Sequence, residues 1–186
     1  MPASPATLTA STAPTAPRGV TLIELAVALC LLAVLLGLAL PGMQGLRANA
    51  ALTSGANQML LALHLARSAA LTRGSTAVLC QSDDAETCRV DEGASRGYIV
   101  FVNNETGRAT QRDAGEEILR RYRLPPRVVL SGSRAYALYH PWPRAGTTVT
   151  WIFCEDSGTA PLRRVIVSQT GRPRVERDVA PGGCAR

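Results

Sequence analysis

A single carboxylate, Glu24, stands directly before an uninterrupted apolar run, Leu25–Leu40. As a helix, Val20–Leu40 would be about 31 Å long, which matches the hydrocarbon core of a bilayer. We therefore predict a transmembrane segment over residues 20–41, with Arg18 on the cytoplasmic side. A carboxylate in lipid is costly, so Glu24 is a candidate functional residue. A cleaved secretory signal is the competing interpretation, but its apolar region would be shorter.

The residues that lead into this run read Gly19-Val20-Thr21-Leu22-Ile23-Glu24. They resemble the class III signal of type IV pilins and type II secretion pseudopilins, with Val20 in place of the usual Phe. The resemblance implies that a prepilin peptidase cuts after Gly19 and methylates the new amino terminus at Val20. Residues 1–19 would then be a leader peptide. It also implies that Glu24 pairs with the amino terminus of a neighbouring subunit, and that the helix kinks at Pro41.

The chain beyond Pro41 keeps a helical pattern. Apolar residues at spacings of three, four and seven predict an amphipathic helix over residues 42–74, with the stripe Leu52, Met59, Leu63, Ala66 and Ala70. Gly74 is a suitable stop for it. We expect the stripe to pack on a globular head, residues 75–186, which is large enough for one domain with a core.

The head consists of short runs with strand-like composition. They are predicted at Ala77–Cys80, Tyr98–Val102, Ile118–Arg123, Arg127–Leu130, Ala137–Tyr139, Thr147–Phe153 and Arg164–Ser168, with a last one near Val175. One helix followed by such strands predicts an α+β fold with antiparallel sheets.

Four of the five cysteines lie in the predicted head: Cys80, Cys88, Cys154 and Cys184. An even number beside a membrane segment suggests disulfides in an oxidising compartment, although scattered core thiols are the alternative. Pairing of Cys80 with Cys88 would staple the acidic loop between them. Pairing of Cys154 with Cys184 would tie the tail onto a sheet. Zinc is disfavoured because no cysteine pair has the usual close spacing.

The head also resembles the GspH/FimT group of minor pilins and pseudopilins. The resemblance lies in the segments Val78–Cys88, Gly97–Asn104, Trp151–Cys154 and Arg164–Arg174, with Tyr98 where that group usually has Trp. It implies the type IV pilin fold, in which a long N-terminal helix, first transmembrane and then amphipathic, packs on a β-rich head. It implies other pilins or pseudopilins as partners. The expected location is the bacterial inner membrane, with the head in the periplasm, and then the tip of a pilus or a pseudopilus.

Catalytic patterns are lacking in the sequence. The two histidines are isolated, and neither a Gly-rich phosphate loop nor an H-E-x-x-H motif occurs. We therefore predict a protein that is not an enzyme and that needs no cofactor or metal.

The C-terminal region carries a basic pattern, and the chain has a net charge of +6. Gly171-Arg172-Pro173-Arg174 falls in a predicted turn, where the two forked side chains could reach neighbouring phosphates. Arg163, Arg164 and Arg177 are close in sequence. Six more arginines without an acidic residue among them, at 120, 121, 123, 127, 134 and 144, would extend a basic face if these segments packed together.

The G-R-x-R pattern resembles the one by which FimT-type minor pilins bind DNA during natural transformation. The resemblance implies binding of double-stranded DNA through Gly171, Arg172 and Arg174, without sequence preference. The nearby Arg163, Arg164 and Arg177 are further candidate DNA contacts. The competing hypothesis is a structural minor pilin, or a GspH-like pseudopilin of type II secretion, that primes filament assembly without binding DNA. In that case the turn is merely a solvated basic turn.

Overall fold

The structure is a computed structural model that describes residues 19–104, 108, 110–141, 147–156, 158 and 160–181. For residues 38–44 and 178–181 it describes the backbone alone. Cys184, Arg144 and most of the predicted leader therefore lie outside the described residues. The same holds for the side chain of Pro41, and the kink expected there remains a prediction.

The N-terminal helix α1 extends over Leu22–Arg73. Gly74 follows it with φ of 63°, the left-handed conformation in which glycine commonly ends a helix. The predicted stripe is confirmed, because its residues are all buried: Leu52, Met59, Leu63, Ala66 and Ala70. Among the described residues, no helix has both the length and the apolar character needed to cross a membrane. The membrane segment over residues 20–41 remains a prediction.

The chain divides into two compact units at Leu40/Pro41, and the second unit contains all the strands. They are β1 (Ala77–Gln81), β2 (Gly97–Val102), β3 (Ile118–Arg123), β4 (Val128–Gly132), β5 (Tyr136–Tyr139), β6 (Val149–Glu155), β7 (Pro161–Val167) and β8 (Pro173–Pro181). Each predicted run coincides with one of them, although β7 begins three residues earlier than predicted and β6 begins and ends two residues later.

The strands form two antiparallel sheets of four. Their orders are β3-β2-β1-β5 and β4-β6-β7-β8. One main core joins the buried stripe of α1 to side chains from both sheets, such as Leu79 and Val100 of the first and Trp151 and Val165 of the second. Burial of this stripe removes its apolar surface from water, which is the main favourable contribution to packing the helix on the head.

The loop between β1 and β2 covers the outer face of the first sheet. Cys80 and Cys88 form a disulfide, as predicted. A second, smaller apolar cluster, which includes Val78, Ile99 and Phe101, lies beneath this loop. Cys154 is also disulfide-bonded. Its predicted partner, Cys184, is outside the described residues, so that pairing stays a prediction.

Candidate nucleic-acid interface

The predicted basic turn joins β7 to β8 and is closed by its own hydrogen bonds. The Gly171 N–H donates to the Ser168 carbonyl at 2.8 Å, and the Ser168 N–H donates to the Arg172 carbonyl at 3.1 Å. The Ser168 hydroxyl also accepts a bond from the Arg172 N–H at 3.2 Å. Gly171 has φ of 72°, a backbone conformation that glycine adopts without steric cost. These hydrogen bonds therefore fix the backbone conformation at Arg172.

A tyrosine of the other sheet anchors the turn. The Tyr139 hydroxyl of β5 donates to the Gly171 carbonyl at 3.2 Å. Tyr139 is buried, and this burial raises its pKa to about 12, so the hydroxyl keeps its proton near neutral pH. Local sequence patterns do not indicate this contact, because β5 and the turn are more than thirty residues apart.

The two arginines of the predicted turn have different surroundings, because only Arg172 lies in the turn and Arg174 already belongs to β8. Arg172 is exposed, and in the described part of the chain no carboxylate pairs with it. Arg174 is also exposed, but its Nε donates to Oε1 of Glu176 at 2.8 Å. The alternation of a strand puts residues 174 and 176 on one face, so this pair could have been expected from their spacing.

The neighbouring arginines do not form one basic face with the turn. In the register between β7 and β8, Arg163 is opposite Arg177, whereas Arg164 is opposite Glu176. Residues that oppose each other across an antiparallel pair lie on the same face of the sheet. Arg163 shares its face with Val165 and Val167 of the core, and Arg164 points to the opposite side.

Arg163 is 4% exposed and attaches β7 to helix α1. Its Nε donates to Oγ1 of Thr53 at 3.2 Å, and its Nη2 donates to Oδ1 of Asn49. Its Nη1 donates to the carbonyls of Pro161 and Leu162, both at 3.1 Å. Burial, with a smaller contribution from Arg177, lowers the pKa of Arg163. The prediction that Arg163 contacts DNA is therefore withdrawn, because its side chain is buried and held by α1.

This contact predicts a structural role for Arg163. Replacing Arg163 with alanine is expected to lower the free energy of unfolding by about 2 kcal/mol, because the buried side chain is lost together with its packing and its hydrogen bonds to Asn49 and Thr53 on α1. The change in the exposed Arg172→Gln variant should stay within about 0.5 kcal/mol. Urea unfolding followed by circular dichroism measures both. Equal stability of the Arg163→Ala variant and the wild type would contradict this role.

Four of the arginines between residues 118 and 153 make contacts elsewhere in the structure: Arg120, Arg121, Arg123 and Arg127. Arg120, Arg121 and Arg123 lie on β3, which belongs to the sheet that does not contain β7 and β8. Arg120 donates to Oε1 of Gln58 on α1, and Arg121 pairs with Glu86 at 2.9 Å. In the other sheet, Arg127 pairs with Glu155 at 3.5 Å. The expectation that these segments extend one basic face with the turn is therefore wrong for β3, which lies in the other sheet, and Arg121 and Arg127 are paired with carboxylates.

The acidic loop closed by the Cys80–Cys88 disulfide contains Glu86, the carboxylate that pairs with Arg121. Asp84 accepts hydrogen bonds from the Thr87 side chain and from the N–H groups of Thr87 and Glu86, which hold the pKa of its carboxyl well below the usual range. Asp83 pairs with Arg89. Over the described residues no group of acidic, histidine or cysteine side chains is arranged to hold a metal ion. The loop is a folded, ion-paired cover of the sheet.

The predicted processing residues lie at the start of α1. Gly19 and Val20 are exposed and precede the helix, and Glu24 is exposed in its first turn. The Thr21 hydroxyl accepts a hydrogen bond from the Glu24 N–H at 3.3 Å, the usual contact of a helix-capping threonine. The carboxylate of Glu24 is therefore accessible beside exposed apolar side chains, among them Leu22 and Ile23.

A helix that packs its second part on two antiparallel sheets defines a pilin-like class of protein. Comparisons with known proteins agree. Residues 55–171 match the family model described as type II transport protein GspH. The chain is 32% identical over 168 residues to the pilin-like protein PilA1 of Thermus thermophilus. The aligned residues cover 86% of this chain and 98% of that protein. The chain belongs to the GspH/FimT-type minor pilin family.

Two solved structures are similar to this chain, and the second of them shows the same fold. The type IV minor pilin FimU of Pseudomonas aeruginosa is 17% identical, with a TM-score of 0.49 over 69% of this chain and 98% of that chain. The minor pseudopilin EpsH from the type 2 secretion system of Vibrio cholerae is 13% identical, with a TM-score of 0.50 over 68% of this chain and 96% of that chain. The predicted α+β class is confirmed, and the family associates the chain with a pilus or pseudopilus.

Proposed function

We propose that this minor pilin binds double-stranded DNA through the turn that joins β7 to β8, for DNA uptake in natural transformation. The observation behind the proposal is Arg172, an exposed guanidinium on a turn that four hydrogen bonds hold to itself and to Tyr139. A rigid base for a forked donor reduces the freedom lost when a phosphate is bound. The family match ends at Gly171, so it does not include Arg172 or Arg174.

The site favours the DNA backbone over the bases. Arg172, Arg174 and Arg164 are side chains that bind phosphate, and Arg164 is half-buried on the same outer face as Arg174. The aromatic ring nearest to the turn that the structure describes, Tyr139, is buried and already hydrogen-bonded, so it offers no surface for stacking on a base. Contacts to phosphate position a protein without reading the sequence. Arg177 lies on the same face of the sheet as Arg163, away from Arg164 and Arg174, and is a peripheral contact to the DNA at most.

Assembly would follow the processing that the N-terminal signal implies. A prepilin peptidase would cut after Gly19, and the new amino terminus at Val20 would pair with Glu24 of a neighbouring pilin or pseudopilin. Before assembly the chain would be held in the inner membrane by residues 20–41, with the head in the periplasm. In the filament the basic turn would then face the outside, at the tip.

A structural minor pilin or pseudopilin without DNA binding is the second candidate. One observation favours it: the expected basic face is broken up, because Arg163 is buried and Arg121 and Arg127 are paired with carboxylates. The remaining cluster is small. The two candidates therefore differ in a measurable property, which is the affinity of the turn for a polyanion.

The salt dependence of DNA binding separates them. The full chain, purified in a non-ionic detergent, is expected to bind a fluorescent 30-base-pair duplex weakly and without sequence preference. One or two phosphate contacts predict a slope of about −0.9 to −1.8 for log K against log salt concentration. Fluorescence anisotropy over several salt concentrations measures this slope. An absence of binding at low salt, or an affinity that salt leaves unchanged, would contradict the proposal and favour the structural candidate.

A further inference from the structure

The proposed DNA site contains a carboxylate of its own, Glu176. It follows Arg174 by two residues on β8 and therefore lies on the same face of the strand. Arg174 Nε and Glu176 Oε1 are 2.8 Å apart, and the two side chains are 58% and 45% exposed. One of the guanidinium groups proposed to contact phosphate is thus already held by an internal anion.

The register of the sheet places Glu176 beside a second cation. Glu176 is directly opposite Arg164 on β7, and Arg174 is opposite Ile166. Side chains opposite each other in an antiparallel pair are close enough to interact. Among the side chains that the structure describes on the outer face of this hairpin, Glu176 is therefore the single carboxylate. It lies next to both Arg164 and Arg174.

Arg172 differs from both of these arginines. It lies in the turn before β8 begins, outside the alternation of the strand, and it is exposed. No carboxylate of the described residues forms an ion pair with it. A phosphate can approach Arg172 without displacing a partner, whereas an approach to Arg174 brings the phosphate close to the negative charge of Glu176.

We propose that Glu176 competes with DNA for Arg174 and so limits the affinity of the turn. This inference rests on the proposed function. In the wild-type protein Arg172 makes the main phosphate contact, while Arg174 contributes only to the extent that it leaves Glu176. The competition keeps the contact weak and readily reversible. Removal of the carboxylate converts Arg174 into a second full phosphate contact.

The test compares Glu176→Gln with the wild type, using the full chain in non-ionic detergent and the 30-base-pair duplex. Since an exposed ion pair is a weak competitor, we expect binding about two- to five-fold tighter. The salt slope should become steeper by up to about 0.9, because one more phosphate contact releases counterions. Glu92→Gln is the matched control: Glu92 is exposed in the loop before β2, and its loss changes the net charge equally.

The partner of Glu176 is tested by a double-mutant cycle. In an Arg174→Gln background, Glu176→Gln should raise the affinity much less than in the wild type, because the guanidinium that Glu176 holds is gone and only Arg164, across the strand pair, remains beside it. A gain that is independent of Arg174, an equal gain in Glu92→Gln, or an unchanged affinity of Glu176→Gln would each overturn the inference. If the wild type binds through Arg172 and Glu176→Gln has no effect, this inference alone fails. If neither protein binds, the proposed function fails with it.

Discussion

Replacement of Glu24 by alanine is expected to reduce incorporation of this pilin into filaments to background. If the chain is cleaved after Gly19 as proposed, the new amino terminus would be a positive charge among the apolar helices of the assembly, to which exposed Leu22, Ile23 and Leu25 would contribute. A buried charge that has lost its partner typically costs about 3–5 kcal/mol. That penalty falls on the contact between this chain and its neighbour, so incorporation should fail while the isolated chain remains intact.

Incorporation is measured by immunoblotting sheared filaments against the cell-bound fraction, in a host that supplies the other pilins. The Glu24→Ala chain should still lose its leader, seen as the same decrease in mass as in the wild type. Glu92→Ala removes an exposed carboxylate of the head and should assemble normally. Wild-type amounts of Glu24→Ala in filaments would contradict the proposed pairing.

Substitution of both arginines in the turn, Arg172→Gln with Arg174→Gln, is expected to weaken DNA binding on the order of ten-fold at low salt. Arg172 should account for most of this loss, because Arg174 is partly neutralised by Glu176. Neither arginine takes part in the core, and the turn is held by backbone groups and by Tyr139. The double variant should therefore fold like the wild type.

Much of the fold could be predicted from the sequence because its signals are local. The stripe on α1 follows helical spacing, Gly74 marks its end, and strands such as β2 and β6 are short runs rich in β-branched and aromatic residues. The division into two sheets could not be predicted in the same way. It depends on pairings between distant segments, such as Ala77 of β1 opposite Tyr139 of β5.

The candidate site was only partly predictable for a related reason. Spacing places Arg172 and Arg174 in a turn, but the direction of each arginine depends on which face of β7 is buried. Val165 and Val167 alternate with Arg164 and thereby indicate that Arg163 faces the core, a signal that a count of basic residues overlooks. The contact between Tyr139 and Gly171 leaves no trace in the local sequence.

The affinity of the turn for duplex DNA is the most direct test of the proposed function. Anisotropy titrations should compare the wild type, the Arg172→Gln/Arg174→Gln variant, and a control in which the exposed Arg47 and Arg96 are changed to glutamine. We predict salt-sensitive binding that the turn variant loses about ten-fold, while the control, with the same change in net charge, keeps nearly all of it. Equal losses in the two variants, or unchanged binding by the turn variant, would contradict DNA recognition by this turn.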